Sequence, residues 1–173
     1  MKLLFPYGQQ SSNEQPLSLT LEGFMDSDYA GCPITLHSTS GYVFKLAGAT
    51  ICWKSRKQWS VATSILEAEY MALALATKQY LWLLRGLEEL GYPSNLLNHS
   101  LSTNNTGADD LVHNPRISDK SKHIQVAYHF THELVENGTI VVLRIPGLEN
   151  PVDICTKILL VPKFIYIWNM LMG

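Results

Sequence analysis

From Ile65 to Leu90 the chain is rich in Ala, Leu, Met, Glu and Lys, with no proline and no glycine before Gly86. This predicts one long helix, stopped by Gly91 and Pro93. Ser64 is placed to cap it, and Glu67, three residues on, completes a capping box. Glu67 and Glu69 lie roughly 200° apart around such a helix, so they cannot face the same way. Glu69 heads a row of small residues, Ala72 and Ala76, that lets a helix approach a sheet closely. Glu69 is therefore expected to face inward and Glu67 to cap.

The sheet for that helix is legible upstream. Ser18 to Met25 alternates, with Leu19, Leu21 and Met25 on one parity and Ser18, Thr20 and Glu22 on the other, which predicts a half-buried strand. If the strand continues, Asp26 and Asp28 share a face. Gly41 to Leu46 and Thr50 to Trp53 are β-prone and flank Ala47-Gly48-Ala49, which predicts a hairpin. Downstream, Leu101 to Thr103 reads as a short strand, and residues 106–113 as a short helix. Lys120 to Glu136 reads as a helix ended by Asn137-Gly138, and Thr139 to Ile145 as a β-branched strand. Asn150 is placed to cap a helix beginning at Pro151 and running to about Leu160, with Pro162 starting a last turn or two. The order is that of a mixed α/β layer fold, with helices packed on one sheet.

The length of 173 residues suits one domain. We read residues 1–17 as a linker or tail, 18–160 as the domain, and 161–173 as a C-terminal tail or short helix. Hydrophobic residues make up 46% of the chain, enough for an ordinary core, which excludes disordered and fibrous classes. The net charge of −2 means that any nucleic-acid binding must come from local patches, and charged residues are scarce at 16%. Cys32, Cys52 and Cys155 are odd in number and widely spaced, which argues against a disulfide framework or a structural zinc site. The N-terminal apolar run is too short for a signal peptide, and that from Phe164 to Met172 too short for a membrane span. The expectation is an intracellular protein, cytoplasmic or nuclear, not secreted and without a membrane partner.

Four polar residues sit at strand ends or helix starts: Asp26, Glu69, Asn104 and Asp153. Acids scattered in this way can converge on a divalent-cation site, because such ions are held by several hard anionic oxygens. The same residues can also serve as caps, turn residues and surface acids.

The segments MDSDYAGCP, STSGYVF, EAEYMAL, KHIQVAYHF and PVDICTK, in this order and spacing, resemble the ribonuclease H domain at the C-terminal end of copia-type LTR retrotransposon Pol polyproteins. The resemblance covers residues 22–164. It implies a ribonuclease H-like mixed five-stranded sheet with helices packed on it. It also implies two Mg²⁺ ions and hydrolysis of the RNA strand of an RNA–DNA hybrid. Asp26, Glu69 and Asp153 match the family's metal-binding catalytic carboxylates. The remaining catalytic position, an aspartate in the family, is Asn104 here. An amide offers one neutral oxygen where the family has a carboxylate, so weak metal binding and impaired catalysis are expected. The resemblance also allows a reverse transcriptase region of a parent polyprotein as a partner.

Other departures remove charge as well. Ile34 to His37 stand where an acid and two basic residues are usual, and Gln125 and Ala127 replace an acid and a base. The alternative functions are therefore a non-catalytic nucleic-acid-binding module or a decayed element fragment. An integrase core has a similar architecture, but the EAEY and KHI motifs fit the ribonuclease better. Candidate contacts to an RNA–DNA hybrid or duplex are Lys54, Arg56 and Lys57 with Trp53 and Trp59, and Lys120, Lys122 and His123. A merely solvated surface is the competing reading. His123, His129 and His132 do not have the spacing of a standard metal site and read as ordinary helix residues.

Overall fold

The computed structural model describes residues 19–92, 97–105 and 122–172. The proposed linker at 1–17 and the expected helix at 106–113 lie outside the described residues. Strands β1 (Leu19–Asp28), β2 (Thr39–Leu46) and β3 (Ala49–Lys57) precede the long helix α1 (Ile65–Glu89). Then come β4 (Leu97–Thr103), α2 (Lys122–Glu136), β5 (Val142–Arg144), a 3₁₀ turn at Gly147–Glu149, α3 (Asp153–Thr156) and α4 (Val161–Met172). The five strands form one sheet in the order β3-β2-β1-β4-β5. The pairs β3/β2 and β2/β1 are antiparallel, whereas β1/β4 and β4/β5 are parallel.

Alternation decides the faces. Leu21 and Met25 of β1, Tyr42 and Phe44 of β2 and Leu101 of β4 are buried with Ala72, Leu73, Ala76 and Tyr80 of α1. Ala72 and Ala76 are fully buried, so the small-residue row does carry the helix against the sheet. The hairpin closes with Ala47 and Gly48, both at positive φ, the geometry that matches strand twist in a two-residue turn. The cap of α1 departs slightly from a capping box. Ser64 Oγ accepts from the Glu67 amide, but Glu67 Oε2 accepts from the amide and hydroxyl of Thr63, one residue further back.

Several boundaries differ from the sequence reading, among them β3, which runs on to Lys57, and β4, which begins at Leu97. β1 runs on through Asp28 because it stays paired with β2, Asp26 facing Gly41 and Asp28 facing Thr39. β5 is only three residues long, since Thr139 bonds into a turn on Asn137 Oδ1 before the strand begins. The helix expected from Pro151 to Leu160 is a single turn, Asp153–Thr156, ended by an extended Lys157. The side chain of Asn150 forms the turn into it, with Oδ1 accepting from the Val152 amide while Nδ2 donates to the Met25 carbonyl. That second bond ties the start of α3 to the end of β1.

Gly41 is required by this packing. A Cβ there would lie 2.7 Å from Thr156 Cγ2 and 2.9 Å from Val152 Cγ1. Gly41→Ala is therefore expected to push α3 off the sheet and cost about 1–3 kcal/mol, as overpacking does, measured by denaturant unfolding.

α4 lies over the β2/β3 edge and buries Ile167 completely. Lys45 Nζ donates to the Met170 carbonyl at 3.1 Å and Thr50 Oγ1 to the Leu171 carbonyl at 2.7 Å, satisfying acceptors that a helix C-terminus leaves open. No helix among the described residues is long and apolar enough to cross a membrane. Cys32, Cys52 and Cys155 are free.

Candidate metal centre

The site lies at the carboxyl end of the two central parallel strands, the general ligand-binding edge of an α/β sheet. Phe24 of β1 is level with Ser102 of β4, so two residues further on Asp26 and Asn104 stand at the same height. Glu69 enters from the first turns of α1 and Asp153 from the start of α3. Asp26, Glu69 and Asp153 are only 1%, 5% and 2% exposed, so each carboxylate needs a compensating partner.

Those partners differ among the three. Asp26 accepts from Thr156 Oγ1 at 2.5 Å and from Lys157 Nζ, which stands 3.0 Å from Oδ2. Lys157 Nζ also lies 2.6 Å from Asp153 Oδ1, and Lys163 Nζ, brought in by α4, lies 2.5 Å from Asp153 Oδ2. Glu69 has no such cation, and its Oε2 is buried without a hydrogen-bond partner among the described residues. The same is true of Asn104 Oδ1.

Electrostatics follow the geometry. Burial, then the nearby Asp26 charge, pushes the Glu69 carboxyl up to about 7, against the opposing pull of Ser27 and Asn105. Burial also raises Asp26, although Thr156 and Lys157 resist it. Asp153 is buried too, but hydrogen bonds and charge from Lys157 and Lys163 outweigh burial and leave it below the ordinary carboxylate value. Two carboxylates thus face two ammonium groups, while Glu69 gives up its charge near neutrality.

The donor set fits a divalent cation. Three carboxylates and an amide carbonyl are hard oxygen ligands, and the unpartnered Glu69 Oε2 and Asn104 Oδ1 are acceptors that an ion would satisfy. Among the described residues, however, no group of three His, Cys, Asp or Glu side chains stands ready to hold a metal. Asp26 and Asp153 are instead drawn onto Lys157.

The proposed nucleic-acid contacts are partly brought together. Lys54, Arg56 and Lys57 lie on the exposed edge strand β3, with Trp53 67% and Trp59 80% exposed. Arg56, Lys57 and Trp59 line a cleft of ≈ 360 Å³ with Lys78 of α1. Lys122 and His123 fall in the first turn of α2, but their side chains, like Lys120 as a whole, lie outside the described residues. His132 pairs with Glu136 on the same helix at 3.3 Å.

Four contributors escaped the sequence reading. Thr156 and Lys157 are within the PVDICTK segment, three and four residues after Asp153, so helical spacing was an available signal. Lys163 follows a helix break and Lys78 lies midway along α1, so neither carried one.

Sheet order, crossover and the four polar residues at this edge define a ribonuclease H-like domain. The chain is similar to ribonuclease H1 of Halobacterium salinarum, with TM-score 0.54, 13% identity and coverage of 79% of this chain and 94% of that one. It is also similar to LC11 ribonuclease H1, solved in complex with an RNA/DNA hybrid, with TM-score 0.53, 19% identity and coverage of 79% and 93%. No family model matches the chain. In sequence it is 38% identical over 144 residues to the retrovirus-related Pol polyprotein of transposon TNT 1-94 from Nicotiana tabacum. That alignment covers 83% of this chain but 11% of the polyprotein, so the chain spans about a tenth of its relative's length. The chain belongs with the Pol polyproteins of copia-type transposons and corresponds to their ribonuclease H domain.

Proposed function

We propose that this domain binds RNA–DNA hybrid and retains the layout for hydrolysing its RNA strand, with catalysis weakened by the amide at position 104. The observation that carries this reading is the set of buried carboxylates from β1, α1 and α3 at one sheet edge, where Glu69 Oε2 and Asn104 Oδ1 have no donor among the described residues. Asp26, Glu69 and Asp153 would hold Mg²⁺, with the Asn104 carbonyl as a neutral fourth donor. Bound divalent ions supply activation of the attacking water and stabilisation of the departing oxygen.

The chain's own residues do the positioning. Thr156 fixes one oxygen of Asp26, and the bond from Asn150 to the Met25 carbonyl sets Asp153 beside it. Glu69, titrating near neutrality, must lose its proton before it can serve as an anionic ligand. The likeness to a protein solved with an RNA/DNA hybrid supports hybrid as the nucleic acid, and the exposed cations of β3 provide a track for its phosphates. As part of a Pol polyprotein, the domain would work beside a reverse transcriptase region.

Hybrid affinity should fall with salt, as phosphate-dominated binding does. Replacing Lys54, Arg56 and Lys57 together by Gln should reduce the slope of log K against log salt by roughly 2–3. Fluorescence anisotropy of a labelled hybrid over a salt series tests this. An unchanged slope places the nucleic acid elsewhere, and undetectable binding by the native chain at low salt removes the hybrid-binding reading.

A further inference from the structure

We propose that Lys157 and Lys163 are tethered counter-cations of the metal-free site, and that a divalent cation enters by displacing them from Asp26 and Asp153. This deepens the metal-centre reading and rests on it. Among the described residues each oxygen of Asp153 is held by a lysine, Lys157 at 2.6 Å on one and Lys163 at 2.5 Å on the other. Lys157 spans to Asp26 as well, at 3.0 Å. A bridging ammonium therefore stands where two carboxylates of the donor set meet. Lysine bonds compete with a cation for those oxygens, and two ammonium groups at hydrogen-bond distance repel an entering divalent charge.

Both lysines are built to move. Their side chains are 35% and 37% exposed, whereas the carboxylates they hold are 1–3% exposed. The ammonium groups can swing into water, and the acids are fixed. Lys163 is carried on α4, whose far end Lys45 and Thr50 hold against β2 and β3 and whose Ile167 is fully buried. The placement of α4 thus contributes to the resistance that an entering ion meets. The site consequently has two stable forms, one balanced by lysine and one by metal, with competition between them.

Mn²⁺ titration calorimetry of the whole chain, native and as Lys157→Met, Lys157→Arg and Asp26→Asn, tests the proposal. Lys157→Met should unfold at lower temperature without divalent ions, yet bind Mn²⁺ roughly tenfold or more tightly, since one competing charge is gone. Lys157→Arg should stay near the native affinity, and Asp26→Asn should weaken it. On the native chain, saturating Mn²⁺ should raise acylation of Lys157 and Lys163 several-fold by mass spectrometry, with Lys54 unchanged, and this readout stands if Lys157→Met does not fold. If Lys157→Met binds Mn²⁺ no more tightly than the native chain, or the labelling does not change, while Asp26→Asn still weakens binding, displacement is wrong and the metal centre stands. If neither the native chain nor Lys157→Met binds Mn²⁺, both are wrong.

Discussion

Asn104→Asp is expected to raise Mg²⁺ affinity by about 10- to 100-fold, read by calorimetry or by the Mg²⁺ dependence of the unfolding temperature. Asn104 Oδ1 already sits buried at the site without a hydrogen-bond donor among the described residues. The substitution therefore adds charge at a position that is sterically in place. A unit charge near the ion contributes about 4 kcal/mol per ion charge at 4 Å in an effective dielectric of 20, most of which desolvation and lysine competition take back. What remains, roughly 1–3 kcal/mol, is the stated range. Without divalent ions the same change should lower stability, because a new carboxylate joins Asp26 and Glu69 with no new counter-charge. A mutant that is less stable in chelator and more stable in Mg²⁺ is the signature. Equal Mg²⁺ response in both chains would show that position 104 is not a ligand.

Glu69→Gln should do the opposite to the metal-free protein. Glu69 titrates at about 7 in the fold against 4.5 ordinarily, so folding disfavours its ionised form. Below pH 4.5 the carboxyl is protonated in both states and folding carries no penalty. Between 4.5 and about 7 the unfolded chain loses the proton first and stability falls, and above 7 the loss is constant, at most about 3 kcal/mol. Glutamine never ionises, so Glu69→Gln should be more stable than the native chain at pH 8 by about 1–3 kcal/mol, with the advantage vanishing towards pH 4.5. Its Mg²⁺-dependent stabilisation should be lost. Denaturant unfolding at pH 4.5, 6 and 8 checks this, and a variant that is less stable at pH 8 would contradict the burial penalty on the inward carboxylate.

Much of this arrangement was legible because local patterns and tertiary packing agree. The parity of Leu19, Leu21 and Met25 set the core face of β1, and the small row Ala72 and Ala76 set the inward face of α1. That Asp26, on the other parity, lies close enough to act on Glu69 was not readable from either pattern. What escaped was whatever depends on long-range partners. The end of β1 is fixed by pairing with Thr39, which propensity does not encode. The early end of α3 accompanies Lys157 turning back to two acids, one of them 131 residues away in sequence. Asn150 was readable as a cap, yet its bond to the Met25 carbonyl, which links α3 to the sheet, was not. Lys163 is brought to the site by α4, which Lys45, Thr50 and the buried Ile167 anchor, and no spacing rule reaches that far.

We propose that this ribonuclease H domain keeps its scaffold and a track for phosphates while the missing charge at position 104 limits its chemistry. Cleavage of a labelled RNA–DNA hybrid in Mg²⁺ and Mn²⁺ tests it most directly, with the native chain beside Asn104→Asp and Asp26→Asn. Weak or absent cutting by the native chain is expected, with cutting of the RNA strand restored by Asn104→Asp and none by Asp26→Asn. Native cleavage equal to that of Asn104→Asp, abolished by Asp26→Asn, would contradict the impairment, and silence of all three would show that the loss extends beyond position 104.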